Sequence, residues 1–170
     1  LYQFIDKLLQ ELPVKLGDTL TLADHGAGKS YLGFILYDLY FKNIAHSHLY
    51  GIETRPELVE KSAALAYRLG FERMRFLNVS VAESTQSAEM PDQIDVVSIL
   101  TPSGLHAQHA LMALNHKKHV VIEKPMGMTK AACEEVLFKS LQMSRLVFCV
   151  MQNRYSPTSE WLKTVVNQGI

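Results

Sequence analysis

Cysteine is nearly absent. Cys133 and Cys149 are the only two, and they form neither a CxxC pair nor a metal-ligand spacing. This excludes a disulfide framework and a cysteine-built zinc site, and both thiols are expected as reduced core or helix residues in a cytoplasmic setting. Excess charge of either sign is also missing. Lys+Arg 17 balances Asp+Glu 17, so neither nucleic acid nor an anionic membrane is expected as a partner. No apolar run approaches the ~20 residues of a membrane span. The start, Leu1 to Phe4, has no Met, no basic n-region and no small-residue cleavage site. It is not read as a signal peptide, and an excised or engineered piece is the expectation. Repeats and low-complexity segments are lacking, and nothing in the sequence speaks to oligomeric state. The polar stretch Ala82–Gln93 is the one place that resembles a seam.

What is present suits one globular domain. The chain has 170 residues, 48% of them hydrophobic and 20% charged, enough to bury a core. Helical spacing over residues 2–12 ends near Pro13. After it, apolar strand patterns alternate with helical ones. Strands are expected at Thr19–Asp24, Leu49–Glu53, Arg75–Val79, Ile94–Leu100, His119–Glu123 and Leu146–Met151. Helices are expected at Gly28–Lys42, Arg55–Leu69, Leu105–Leu114, Thr129–Met143 and Pro157–Asn167. Leu32, Ile35, Leu36 and Leu39 are expected on the inner face of the first of these, and Ala132, Val136 and Leu137 on that of the fourth. The alternation predicts an α/β, Rossmann-like, doubly wound parallel sheet in the order 3-2-1-4-5-6. Its ligand crevice would lie between strands 1 and 4 at their carboxyl ends.

The crevice would be fed by Thr19–Tyr31, an apolar strand followed by Asp24, a glycine turn at Gly26-Ala27-Gly28 and a helix start. Such a turn brings backbone close to a nucleotide, and Glu53 at the end of the second strand can accept from ribose hydroxyls. A Walker loop needs glycine five residues before Gly28-Lys29-Ser30, and that position is Ala23, which argues against ATP or GTP. A Gly-x-Gly-x-x-Gly fingerprint would place its third glycine at Tyr31. A ring there disfavours the close helix–strand packing that makes room for pyrophosphate, so NAD fits less well. S-adenosylmethionine carries no phosphate and fits an Asp-x-Gly-x-Gly turn with a ribose-binding acid best. The plain alternative is a tight turn beside a solvated Glu53.

Two family resemblances follow. The runs Leu22–Gly33, Gly51–Lys61, Leu69–Phe71, Phe76–Ser84 and Pro91–Val97 resemble a class I S-adenosylmethionine-dependent methyltransferase over residues 1–97. That resemblance implies that Asp24, Gly26 and Gly28 form the cofactor turn, that Glu53 holds the ribose, and that Asn78 to Val81 lie near the adenine. The motif that such enzymes carry directly after the fourth strand is absent. Residues 95–170 instead resemble the nucleotide-binding domain of the glucose–fructose oxidoreductase and inositol dehydrogenase family (Gfo/Idh/MocA). The carrying runs are Asp95–His106, His109–Leu114, Lys118–Met126 and Gln152–Pro157. By that resemblance Thr101 and Pro102 line the nicotinamide side of NAD(P), Lys124 belongs to the catalytic centre, and Pro125 follows a cis bond. Gln152, Asn153 and Arg154 would lead into the active-site cleft. The family's second domain, with its catalytic His and Asp, is not in the chain.

The reading that results is a chimera, taken as engineered. A methyltransferase-like half (1–97) and a dehydrogenase-like half (98–170) share one sheet and meet in the fourth strand. It is expected to show no turnover, to have no catalytic residue except Lys124 by resemblance, and to keep binding of S-adenosylmethionine or S-adenosylhomocysteine. The alternatives are an NAD-binding dehydrogenase fragment and an active methyltransferase. The histidine pairs His46/His48, His106/His109 and His116/His119 lack a third ligand at metal spacing, so no metal is expected. On a helix His106 and His109 share a face, and one could point at the crevice.

Overall fold

The structure, a computed structural model, describes residues 19–84, 87–91, 93–151 and 156–169. The helix expected at residues 2–12 and the site residues Gln152, Asn153 and Arg154 lie outside the described residues.

The strands are β1 (Thr19–His25), β2 (His46–Ile52), β3 (Met74–Leu77), β4 (Val96–Ile99), β5 (His119–Ile122) and β6 (Val147–Cys149). They form one parallel sheet in the order β3-β2-β1-β4-β5-β6, as the alternation predicts. The helices are α1 (Tyr31–Leu39), α2 (Pro56–Arg68), α3 (Val81–Ser84), α4 (His106–Asn115), α5 (Lys130–Met143) and α6 (Pro157–Asn167), with 3-10 turns at Phe41–Asn43 and Ser103–Leu105. Among the described residues no helix is long and apolar enough to cross a membrane.

Strand alternation divides the core in two. Leu22, Leu36, Leu49 and Val96 pack on one face, and Val97, Ile99, Leu114 and Ile122 on the other. The register places Asp24 beside Ser98 and His25 beside Ile99. Pro56 opens α2, and Thr129 caps α5 by accepting the Ala132 N–H at 3.2 Å.

Two inner faces differ from expectation. In α1 the buried residues are Leu32, Gly33, Leu36 and Tyr37, whereas Ile35 and Leu39 are exposed. Aromatic packing turns the helix: the Tyr37 ring lies 4.5 Å from that of Phe71, and its hydroxyl accepts the Arg73 N–H. In α5, Val136 and Ser140 face inward, and Leu137 is exposed together with Phe138 and Leu141. Their face looks away from the cluster that holds Val136. The last helix has the predicted bounds, yet none of its described residues is buried.

Candidate functional site: a cleft at the switch point

Strand β1 delivers the chain to the crevice between β1 and β4, where strand order reverses. There the backbone turns sharply. Gly26 and Gly28 both have left-handed φ, +76° and +59°. A Cβ on Gly26 would sit 2.9 Å from the Leu100 carbonyl and the Thr101 nitrogen, so the turn touches the end of β4 directly.

The N–H groups of this turn point inward. Those of Gly26 and Ala27 donate to the Ile52 carbonyl at 2.9 and 3.1 Å, and that of Ser30 to the Ala27 carbonyl at 2.7 Å. The Gly28 N–H donates to Glu53 Oε2 at 2.8 Å. Glu53 is itself enclosed. Arg55 grips both carboxylate oxygens, Nε to Oε1 at 3.0 Å and Nη2 to Oε2 at 2.9 Å, and the Thr54 and Arg55 N–H groups also donate to Oε1. The guanidinium holds the Glu53 carboxyl down at about 2, helped by the Arg55 and Gly28 N–H groups. Asn78 braces the same corner, its Nδ2 donating to the Glu53 carbonyl at 3.0 Å.

The cleft above this turn has a volume of about 720 Å³ and is lined by Gly26, Glu53, Arg55, Ser80, Thr101 and Pro102, among others. The predicted residues are therefore brought together in part. Gly26, Glu53, Thr101 and Pro102 line the cleft. Gly28 reaches it through Glu53, and Asn78 acts from beneath. Asp24 lies under the turn, fully buried, accepting from Ser98 Oγ at 2.8 Å on Oδ1, while Oδ2 has no hydrogen-bond partner among the described residues. Burial pushes the Asp24 carboxyl up to about 6 against the pull of the Ser98 hydrogen bond. Lys124 is exposed beyond β5, joined to Pro125 by the expected cis bond, and is not among the cleft-lining residues.

Tyr31 departs from the sequence reading. Its ring is 69% exposed at the start of α1 and does not come between helix and strand. The close approach falls at Gly33 instead, where a Cβ would meet Ser30, Met74 and Leu49. The packing objection to a dinucleotide therefore does not hold.

Arg55 and the two α4 histidines carry more of the site than their sequence signals conveyed. His106 is buried, with Nε2 2.6 Å from the Thr101 carbonyl and Nδ1 2.8 Å from the Pro125 carbonyl. His109 Nδ1 lies 2.9 Å from Thr101 Oγ1, and His109 lines the cleft. Burial lowers the His109 pKa, and the neighbouring His106 lowers it further. The i,i+3 spacing was the available signal. Among the described residues no group of His, Cys, Asp or Glu could hold a metal ion.

Comparison with known proteins brings back both resemblances. Residues 1–124 match the methyltransferase domain family, so the match runs through β4 and β5, past the Val97 at which the sequence motifs end. Among curated proteins, D-glucoside 3-dehydrogenase of Escherichia coli (strain K12) is 28% identical over 112 residues, covering 66% of this chain and 30% of that protein. Levoglucosan dehydrogenase of Pseudarthrobacter phenanthrenivorans is 31% identical over 118 residues, covering 69% of this chain and 27% of that protein. The chain thus spans less than a third of the length of these relatives. Among solved structures, the WlbA dehydrogenase from Bordetella pertussis in complex with NADH and UDP-GlcNAcA superposes with a TM-score of 0.67 at 22% identity, covering 92% of this chain and 43% of that one. This likeness is one of fold.

Proposed function

The chain belongs to the methyltransferase domain family, and from that premise we propose that it is a Rossmann-fold chimera that binds S-adenosylmethionine or S-adenosylhomocysteine without turnover. One observation carries the choice of ligand. The N–H groups of Gly26, Ala27, Gly28 and Ser30 all donate within the protein. A pyrophosphate needs such donors at a glycine turn. A phosphate-free adenosine cofactor does not. The ribose would lie against Glu53, and the adenine against the segment after β3.

The chimera has a methyltransferase-like half, 1–97, and a dehydrogenase-like half, 98–170, and we take the join as engineered. The contacts across it support a buried exchange within β4. Ser98 Oγ donates to Asp24 Oδ1 at 2.8 Å, and the Leu100 N–H donates to the His25 carbonyl at 2.9 Å. A Val/Ile strand of kept volume tolerates such replacement.

A second reading is an NAD-binding fragment of a Gfo/Idh/MocA-type oxidoreductase. It is favoured by the exposed Tyr31 ring, by Thr101 and Pro102 in the cleft, and by the dehydrogenase relatives. An active methyltransferase is the least supported, because the motif that such enzymes carry directly after the fourth strand is absent.

Thermal-shift measurement with S-adenosylhomocysteine and with NADH separates the readings. Stabilisation by the first alone, lost in Glu53→Ala, is the expected result. Stabilisation by NADH alone selects the second reading, and methyl or hydride transfer above background removes the claim of no turnover.

A further inference from the structure

A second cavity, of about 490 Å³, adjoins the cofactor cleft and shares Val81 and His109 with it. Its origin is topological. Among the described residues the crossover from β3 to β4 carries the four-residue α3, whereas α1, α2, α4 and α5 have 9 to 14 residues. One wall is the stripe His109, Met112, Ala113 and His116, at i, i+3, i+4 and i+7, which extends about 10 Å along the helix. The lining also includes Val81, Met90, Pro91 and Ile94 from the β3–β4 crossover and His25 and Val97 from the sheet.

The two ends of this cavity are polar. At the inner end His25 is 8% exposed, and its ring makes no hydrogen bond to any described residue. Burial and the nearby His109 pull its pKa down to about 4. The ring is therefore neutral at pH 7, with one nitrogen to donate and one to accept. The ring borders the cavity and can exchange a hydrogen bond with whatever occupies it. At the outer end sit Lys118 and His116. Lys118 is the only fully charged side chain on the lining, which has no carboxylate among the described residues.

We propose that this cavity binds a small hydroxyaromatic carboxylate. Its single anionic group would face Lys118 and His116, its ring would lie between Met90 and Met112, and its hydroxyl would meet His25. One cation matches one carboxylate better than a dianionic phosphate, and thioether sulfur packs well on aromatic rings. His25, Met90, Met112, His116 and Lys118 line this cavity and not the cofactor cleft, so the proposal does not rest on the cofactor reading.

The test is a titration of the whole chain, labelled with 15N at histidine, using 4-hydroxybenzoate and recording the imidazole resonances. Saturable shifts of the His25 and His116 rings are expected. Binding should weaken about tenfold in Lys118→Ala, and by a similar factor when benzoate or phenol replaces the probe. Ala113→Leu, which fills the cavity, should abolish the shifts. The proposal fails if the His25 ring does not respond at millimolar probe. It also fails if Lys118→Ala binds as the parent does, or if a folded Ala113→Leu variant still responds.

Discussion

Asp24 and His25 are consecutive residues of β1, buried on opposite faces of the sheet, and burial moves their titrations toward each other. The Asp24 carboxyl is pushed up from 3.8 to about 6, and the His25 imidazole is pulled down from 6.5 to about 4. Between about pH 4 and 6 both are neutral in the folded protein and both are charged in the unfolded chain. The signs oppose. The folded state binds the Asp24 proton more tightly, so that contribution falls as pH rises from 3.8 to about 6. The unfolded state binds the His25 proton more tightly, so that contribution rises as pH climbs from about 4 to 6.5. Each amounts to about 3 kcal/mol over its window, and together they nearly cancel. Denaturant melts from pH 4 to 7 should show a steeper rise for Asp24→Asn than for the parent and a shallower or falling profile for His25→Gln, the lowered pKa of His109 adding a common rise to all three. Parallel profiles for the two variants would show that this pair does not set the pH dependence.

The two glycines of the turn should respond differently to the same substitution. Gly26→Ala places a methyl against the backbone of Leu100 and Thr101 in a left-handed conformation, a cost of about 3 kcal/mol. Gly28→Ala meets nothing closer than 3.8 Å, and its cost is the left-handed φ alone, about 1 kcal/mol. Urea midpoints measure both. Equal losses at the two positions would mean that close approach to β4 is not what Gly26 provides.

The order of the sheet was legible because apolar strands and amphipathic segments alternate, and buried parallel strands such as Val96–Ile99 read as unbroken apolar runs. That Gly26 and Glu53 would meet at one cleft was legible because the glycine turn and the acid follow the carboxyl ends of adjacent parallel strands. The inner face of α1 was not, since Ile35 and Leu39 fit the helical period as well as Gly33 and Tyr37 do. Only Phe71, brought alongside by the fold, decides between them. The exposed Tyr31 was misread for a related reason. Residue spacing gives a position on the turn but not the direction of the side chain. Arg55 lies two residues from Glu53 in sequence, but that their side chains pair follows from backbone angles that sequence spacing does not report.

The Arg55 grip on Glu53 has a consequence for binding. Ribose hydroxyls need free lone pairs on the Glu53 carboxylate, and the guanidinium and three backbone N–H groups already use them. Arg55→Ala should therefore bind S-adenosylhomocysteine several-fold more tightly than the parent by calorimetry, whereas Glu53→Gln should bind it more weakly. Arg55 is largely exposed but its partner Glu53 is buried, so removing Arg55 should also lower the melting temperature, a loss that Glu53→Gln should largely avoid. Weaker binding in Arg55→Ala would make the guanidinium a ligand contact in its own right, as an anionic cofactor would require.

His106 joins the ends of two strands. Its ring nitrogens face the carbonyls of Thr101, after β4, and Pro125, after β5. The first of these loops lines the switch-point cleft, and neither carbonyl accepts from another described residue. His106→Leu keeps the volume roughly constant and removes the imidazole from between two part-buried carbonyls, only one of which a neutral ring can serve as donor, a loss of about 1 kcal/mol. The damage should be local. Amide hydrogen exchange should accelerate in the segments after β4 and β5, around residues 100–103 and 123–127, before it changes in β2 and β3. His109, held through Thr101 Oγ1, would lose its fixed position with the loop, so cofactor binding should weaken along with stability. A variant that loses protection evenly across all six strands would instead make His106 a packing residue of the second core, with no special hold on the cleft.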